Sequence, residues 1–126
     1  MGSVQEKNKE IVKIFYDLII NKKDYESARP YIGKRYKQHN PLVKDYPEGL
    51  REFIEFLKEN FPEARSEIKR VIAEDDYVVL HVHSIRNKDL ERAIIEIFRL
   101  EDGKIEEHWD VIQQIPETSA NPNGMF

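Results

Sequence analysis

Two segments in the first half of the chain space their apolar residues three and four positions apart, as one face of a helix requires. In residues 6–21 the apolar face is formed by Ile11, Ile14, Phe15, Leu18 and Ile19. The second face begins after Pro47, ends at Pro62 and contains Leu50, Phe53, Ile54, Leu57 and Phe61. Between them, Asp24 suits the N-cap of a short helix that runs to about Arg29. The pattern therefore predicts three helices.

From residue 65 onward, apolar and polar positions alternate, which is the period of a strand. We predict strands near 66–74, 77–87, 91–101 and 105–115, and a short extended segment at Tyr36–His39. Asp75-Asp76 and the Asp-Gly pair at 102–103 suit the turns between strands. Helices followed by an antiparallel meander indicate the α+β class, with a curved sheet wrapped over the helices.

Composition narrows the classes of function. The 126 residues fit one domain, 1–126, with an irregular tail over 115–126. The chain has no cysteine, which excludes disulfides and thiolate chemistry. With a net charge of −4 and interspersed Lys and Glu, it has no basic stripe for a phosphate backbone, so we expect no nucleic-acid binding. No apolar run approaches the roughly 18 residues of a membrane helix, and we expect a cytoplasmic protein without membrane association.

His108 and Asp110 are the strongest chemical feature of the sequence. They lie two positions apart on a predicted strand, so both side chains point to one face, about 7 Å apart at Cα. A carboxylate in an apolar pocket gains basicity because desolvation disfavours its charge, and a histidine exchanges protons near neutral pH. Together they suit abstraction of a proton next to a carbonyl. The alternative is a surface or interface pair in which Asp110 only orients the imidazole.

Four other positions leave alternatives open. His39, in a polar cluster before a proline, is either a pocket residue or part of a hydrogen-bonded turn. His81 and His83 share one strand face, as a metal-binding pair would, but interface and core residues also have this spacing, and we expect no metal. Glu96 interrupts an apolar run and either faces solvent or lines a pocket.

Two stretches of sequence resemble a known family. The first is Tyr36-Lys37-Gln38-His39-Asn40-Pro41. The second runs from Ile97 to Ile112 and contains Glu107-His108-Trp109-Asp110 after a Gly-Lys-Ile turn. Both closely resemble SnoaL-like proteins, which include polyketide cyclases and predicted aldol-condensation enzymes. The order of elements is also similar, so the resemblance extends over nearly the whole chain.

The resemblance implies a cone-shaped fold of the nuclear transport factor 2-like, cystatin-like type. It implies a pocket between the helices and the concave sheet face, and a homodimer formed through the outer face. Polyketide cyclases of this kind use an Asp/His pair and neither metal nor cofactor. Carried over to this sequence, Asp110 is the base, and His108 and His39 are its acid or hydrogen-bonding partners. Contacts with a small hydrophobic or carbonyl-containing ligand are expected from His83, His81, Glu96, Phe98 and Lys37.

A looser resemblance to limonene epoxide hydrolase places Asp110 at a catalytic carboxylate position and His83 near a catalytic arginine position. His83 and Ile85 stand where that enzyme has an Arg and an Asp, and Gln113 stands where many SnoaL-like sequences have an acid. The water-activating trio of that enzyme is therefore not reproduced, which argues against epoxide hydrolysis. From the His108/Asp110 pair and the SnoaL-like resemblance, we predict a cofactor-independent acid–base enzyme for aldol-type cyclisation or enolisation of a small carbonyl compound. The alternatives are a small-molecule-binding domain without chemistry and a dimeric or engineered scaffold of the same fold.

Overall fold

The three predicted helices and the four predicted strands are all present in the computed structural model, which describes residues 2–126. The helices are α1 (Val4–Tyr16), α2 (Tyr25–Ala28) and α3 (Tyr46–Asn60). A π-helical turn, Asp17–Asn21, continues α1, and a 3₁₀ turn, Arg29–Tyr31, follows α2. The strands are β1 (Ile32–Gln38), β2 (Arg65–Glu74), β3 (Tyr77–Asn87), β4 (Leu90–Glu101) and β5 (Lys104–Gln114).

Short polar side chains start each helix. Ser3 accepts a hydrogen bond from the backbone N–H of Glu6 before α1. Asp24 accepts one from the backbone N–H of Ser27, which confirms its predicted capping role. Asp45 is the N-cap of α3, where Pro47 occupies the first turn. Within the described residues, no helix has both the length and the apolar character needed to cross a bilayer.

The five strands form one curved sheet in the order β1-β5-β4-β3-β2. Strands β2 to β5 form the predicted antiparallel meander. The extended segment predicted at Tyr36–His39 is the end of a longer strand, which begins at Ile32 and pairs in parallel with β5. The start of β1 is Ile32-Gly33-Lys34-Arg35, a stretch without apolar alternation, so the sequence pattern does not indicate a strand there. Its pairing with β5 depends on the path of the backbone after the helices.

Alternation along the strands decides which side chains face the helices. Val78, Leu80 and Val82 of β3 are fully buried and pack in the core. The intervening positions on β3, including His81 and His83, therefore point to the opposite, outer face. The helices complete the core from the concave side with Val12, Phe15, Ile19, Leu50 and Ile54.

A bulge in β1 brings an aromatic ring beneath the polar part of the concave face. The pairing of β1 with β5 shifts register between Ile32 and Lys37. Tyr36, inside this interval, has φ +35°, an uncommon conformation for a residue with a side chain. Its buried ring lies 6.3 Å from the His108 ring at an interplanar angle of 6°. The bulge thus provides a flat apolar support for His108.

Candidate active site

A cavity of about 380 Å³ lies between the concave face of the sheet, α3 and the end of α1. Its volume is at the lower end of the roughly 300–1,000 Å³ typical of small-molecule sites. Apolar side chains form most of the wall, among them Ile19, Leu50, Phe53, Leu57, Ile94 and Phe98. A smaller polar group lines one part, and includes Tyr16, Gln38, Asn40, Glu96, His108 and Asp110. This combination suits a small ligand with an apolar body and a few polar atoms.

Four of the residues that we predicted from the sequence line this cavity: His108, Asp110, Glu96 and Phe98. His108 and Asp110 share a face of β5, as their spacing predicted. Glu96 is 5% exposed, so of its two alternatives the structure selects the pocket. Glu96 pairs with Asp110, and Phe98 with His108, across the β4–β5 ladder. The four side chains therefore form one continuous patch on two adjacent strands.

His39 lies outside the cavity, which corrects its predicted place beside Asp110. Its Nε2 lies 2.7 Å from Glu107 Oε2. Its ring stacks on Trp109 with centroids 4.8 Å apart and an interplanar angle of 4°. The physical reason is the alternation at the end of β1: Gln38 faces the cavity, so the next residue faces away.

His81, His83 and Lys37 are also on the outer side, which corrects their predicted contacts with a ligand in the cavity. His81 hydrogen-bonds Arg70, and His83 Nε2 lies 2.6 Å from Glu91 Oε1. Lys37 is exposed. The alternation along β3 explains why the two histidines lie on the outer face, since the apolar residues of this strand occupy the inner face.

A chain of short hydrogen bonds crosses the polar part of the cavity. The Tyr16 hydroxyl donates to Glu96 Oε2 at 2.6 Å. Glu96 Oε1 lies 2.6 Å from His108 Nε2, and His108 Nδ1 lies 2.7 Å from Gln38 Oε1. Tyr16 is the last residue of α1, so this series of hydrogen bonds connects one helix to three strands. This network holds the His108 ring in one orientation.

The direction of these bonds follows from Gln38. Its Oε1 accepts from the backbone N–H groups of His39, at 3.1 Å, and Asn40, at 2.9 Å. The atom facing His108 is therefore an acceptor, and His108 Nδ1 donates. One proton then lies between His108 Nε2 and Glu96. Tyr16 also donates to Glu96, so this carboxyl group accepts from the phenol and shares a proton with His108.

Asp110 has a different environment on the same face. Its Oδ2 accepts from Asn40 Nδ2 at 2.9 Å and lies 3.9 Å from His108 Nε2. Burial raises the pKa of the Asp110 carboxyl, and the negative charge of Glu96 raises it further. The nearby charges of His108 and Arg92 and the hydrogen bond from Asn40 oppose this shift in pKa without cancelling it. Asp110 is therefore a stronger base than an ordinary aspartate.

Tyr16 acts in this site as a hydroxyl. Burial raises the pKa of Tyr16 well above its usual value, and the charge of Glu96 adds to that shift. The phenol therefore remains protonated and serves as a hydrogen-bond donor. The resulting roles are distinct: Tyr16 and Glu96 fix the orientation of His108, whereas Asp110 lines the cavity as a base.

Glu96, His108 and Asp110 also bring one possible ligand atom each within 4.8 Å of one another, which is compact enough to surround a cation. A cation bound there would have to displace the proton between Glu96 and His108. Arg92 adds a further positive charge that acts on Asp110. The donor set therefore suits proton transfer better than metal ligation.

Several polar residues of the cavity were not among the predicted site residues, and they include Tyr16, Gln38, Asn40, Arg86 and Arg92. Arg92 has the same strand parity as Glu96 and Phe98, so alternation along β4 could have identified it. Gln38 and Asn40 lie inside the motif that carries the family resemblance, beside His39. Tyr16 gave no local signal, because its partner Glu96 lies 80 positions away in sequence.

Solved structures share this fold at low sequence identity. A provisionally assigned polyketide cyclase from Acidithiobacillus ferrooxidans is 19% identical, with a TM-score of 0.76 over 88% of this chain and 91% of its own. A provisionally assigned ketosteroid isomerase from Kribbella flavida is 14% identical, with a TM-score of 0.72 over 95% and 85%. A cystatin-fold protein from Novosphingobium aromaticivorans is 19% identical, with a TM-score of 0.74 over 82% and 97%. No curated protein sequence matches significantly.

A family model also matches most of the sequence. The model describes the SnoaL-like polyketide cyclases and covers residues 10–118. This range begins within α1 and ends just beyond β5, so it contains all five strands and the whole cavity patch. The chain belongs to the SnoaL-like polyketide cyclase family.

Proposed function

We propose that the cavity enolises a small carbonyl compound, with Asp110 as the base, as the first step of a cyclisation or an isomerisation. The observation that carries the proposal is a carboxyl group with a raised pKa, Asp110, whose Oδ2 lies 3.9 Å from His108 Nε2 in a largely apolar cavity. Family membership and the neighbouring structures support a cyclase or isomerase type of activity.

The proposed step moves one proton. Asp110 takes it from the carbon beside the carbonyl, the C–H electron pair forms the C=C bond of an enolate, and the carbonyl π pair moves to oxygen. In an isomerisation, the enolate is reprotonated by Asp110. In an aldol cyclisation, the enolate carbon attacks a second carbonyl of the same molecule, and the new alkoxide takes up the proton.

The other polar groups would position this base and stabilise charge. A proton on His108 Nε2, 3.9 Å from Asp110, would stabilise the negative charge that develops on the ligand. Glu96 and Gln38 hold the two ring nitrogens of His108, and Tyr16 holds Glu96. Asn40 donates to one oxygen of Asp110, which leaves the other oxygen free of that contact and available to the ligand.

Deuterium exchange tests the proposal without knowledge of the natural substrate. Suitable probes are para-acetylbenzoate and para-methylacetophenone, which share an enolisable acetyl group on an aromatic ring. Proton NMR in heavy water follows loss of the acetyl methyl signal. We expect the protein to accelerate exchange over buffer, and Asp110→Asn to lower the protein-dependent rate by about a hundredfold or more.

Asp76→Asn is the matched control, because Asp76 is an exposed carboxylate in the β2–β3 turn. This variant should exchange at the rate of the unmodified protein. An Asp110→Asn protein as active as the unmodified one would contradict the proposal. Probe binding without any accelerated exchange would instead favour a binding domain of the same fold.

A further inference from the structure

Two arginines line the cavity near its β3–β4 end, and neither forms an ion pair with any residue in the range 2–126. Arg86 comes from the end of β3 and Arg92 from the start of β4. The other cations of this wall have partners: Arg65 pairs with Glu67 at 2.8 Å, and Lys44 with Glu52 at 3.1 Å. Arg86 and Arg92 are thus two positive charges in one cavity without a directly contacting carboxylate, although Glu96 and Asp110 act on Arg92 at longer range.

The guanidinium of Arg92 contacts β3. Its Nη2 lies 3.3 Å from Ser84 Oγ on β3, whereas Asp110 lies on β5, at the other side of β4. Arg92 and Glu96 are four residues apart on β4, about 13 Å between Cα atoms. The arginines therefore form a second polar region of the cavity wall, although the charge of Arg92 still acts on Asp110.

Arg92 also has an unused donor. Its Nε is buried and has no hydrogen-bond partner among the described residues. A buried donor without a partner destabilises the structure, so a ligand oxygen that accepts from it would remove that penalty. Nε and an Nη of one guanidinium form the fork that binds a carboxylate in a bidentate manner.

Arg86 supports the same interpretation from the mouth of the cavity. Its guanidinium lies 4.8 Å from the ring centroid of Phe61 and 5.9 Å from that of Phe56. Burial lowers the pKa of Arg86 to about 10, and the positive charge of Arg92 contributes to the shift. Two like charges that repel each other in a partly desolvated cavity are both stabilised when an anion binds between them.

We propose that Arg92 and Arg86 form a carboxylate subsite, so that the cavity takes a small keto acid with its carboxylate at the arginines and its carbonyl at Asp110. The identity of the carbonyl end rests on the proposed function, whereas the carboxylate end rests on the arginines alone. The apolar wall between the two ends, with Ile94 and Phe53, suits a ring or short hydrocarbon segment. A carboxylate suits this cavity because the planar fork of Arg92 matches a planar anion.

Calorimetric titration with the two probes tests the subsite, since para-acetylbenzoate has the carboxylate and para-methylacetophenone replaces it with a methyl group. The unmodified protein should bind the carboxylate probe at least about tenfold more tightly, as one charged hydrogen-bonded contact requires. Arg92→Met and Arg86→Met should each remove most of that preference. Neither substitution should change the affinity for the neutral probe more than about twofold.

Arg51→Met is the matched control, because Arg51 is a partly exposed arginine on α3 outside this cavity. It should keep the full preference. Unchanged affinity of both cavity variants for para-acetylbenzoate would overturn the proposal. If Arg92→Met does not fold, Arg86→Met alone decides, since Arg86 lies at the mouth. Tighter binding of inorganic phosphate than of the carboxylate probe would contradict the assignment to a keto acid.

The two proposals can fail separately. Exchange of the neutral probe tests Asp110, whereas the preference for the carboxylate probe in binding tests the arginines. If Asp110→Asn abolishes exchange while the arginine variants keep the carboxylate preference, the subsite is wrong and the enolisation stands. If the arginine variants lose the preference while no probe exchanges, the subsite stands and the enolisation is wrong.

Discussion

At the scale of single residues, Asp110 combines a chemical advantage with a cost to folding. Its carboxylate is more basic in the cavity because burial and Glu96 disfavour the negative charge, and its pKa is raised. The folded state therefore holds the Asp110 proton more strongly than the unfolded state does. By linkage, the stabilising contribution of this group is present at low pH and is lost as the pH rises through its raised pKa.

This linkage predicts that Asp110→Asn is more stable than the unmodified protein at pH 7, because the amide removes a buried charge and still accepts from Asn40. The difference should shrink as the pH falls through the raised pKa, and disappear below the ordinary value of 3.8. Urea unfolding at a series of pH values measures it. Asp76→Asn, in an exposed turn, should show no such trend, and a destabilised Asp110→Asn protein at pH 7 would contradict the interpretation.

Strand parity predicts which residues share a face. His108, Asp110, Glu96 and Phe98 lie on two regular strands, so a period of two places them correctly relative to one another. Parity alone does not tell which face of a strand lines the cavity, and for this reason His81, His83 and His39 were predicted on the wrong side. The bond between Tyr16 and Glu96 depends on the packing of α1 against the sheet, which sequence spacing does not determine.

At the scale of elements, the segment between β1 and α3 closes one side of the site and supplies Asn40. Asp45 Oδ1 accepts from the backbone N–H of Gln38 at 2.9 Å, which ties the start of α3 back to the end of β1. Between them, Asn40 reaches Asp110. Gly49 is buried in the first turns of α3, directly against the backbone carbonyl of Lys44. The close approach of this helix to the loop therefore requires a residue without a Cβ atom.

Gly49→Ala should destabilise the protein by about 1–3 kcal/mol, because the added methyl group would overlap the Lys44 carbonyl and displace the loop. This outcome is opposite to the usual preference of helices for alanine, worth about 1 kcal/mol. Urea unfolding measures the change. Glu48→Ala, at the exposed preceding position, should stay within about 0.5 kcal/mol. A stabilised Gly49→Ala variant would show that the contact is not tight.

The element-scale predictions from sequence were accurate for the helices and the meander, whose periodicity is local. The parallel pairing of β1 with β5 was not predicted, because it joins residues about 70 positions apart, such as Gln38 and His108. The π-helical turn after α1 is likewise invisible to a helical pattern. Its Asn21 side chain is held by two contacts with the backbone of Ser66, an interaction with β2.

At the scale of the whole molecule, the outer face of the sheet carries apolar side chains that nothing in the described chain covers fully. Ile72 is 57% exposed, Val111 73%, Tyr77 41% and Ile95 40%. The homodimer expected from the family resemblance would use this face, and it remains a prediction. Exposed apolar side chains on one surface are typical of a site of association.

Substitution on this face tests the predicted dimer. We expect the unmodified protein to sediment as a dimer and Val111→Glu to sediment as a monomer, because the substitution would bury an unpaired charge at the interface. Val4→Glu is a matched control, since Val4 is 67% exposed but lies on α1. Analytical ultracentrifugation measures both. A Val111→Glu protein that remains dimeric would place the interface elsewhere.

Strand β2 forms one end of the sheet order, so one of its sides has no neighbouring strand. Such an unpaired side can recruit further strands and start aggregation. Half of the residues of β2 are charged, namely Arg65, Glu67, Lys69, Arg70 and Glu74. A break in register between Ile68 and Arg70 also interrupts its ladder. Addition of a further strand at β2 is therefore disfavoured. We expect this edge to oppose fibril formation at high protein concentration.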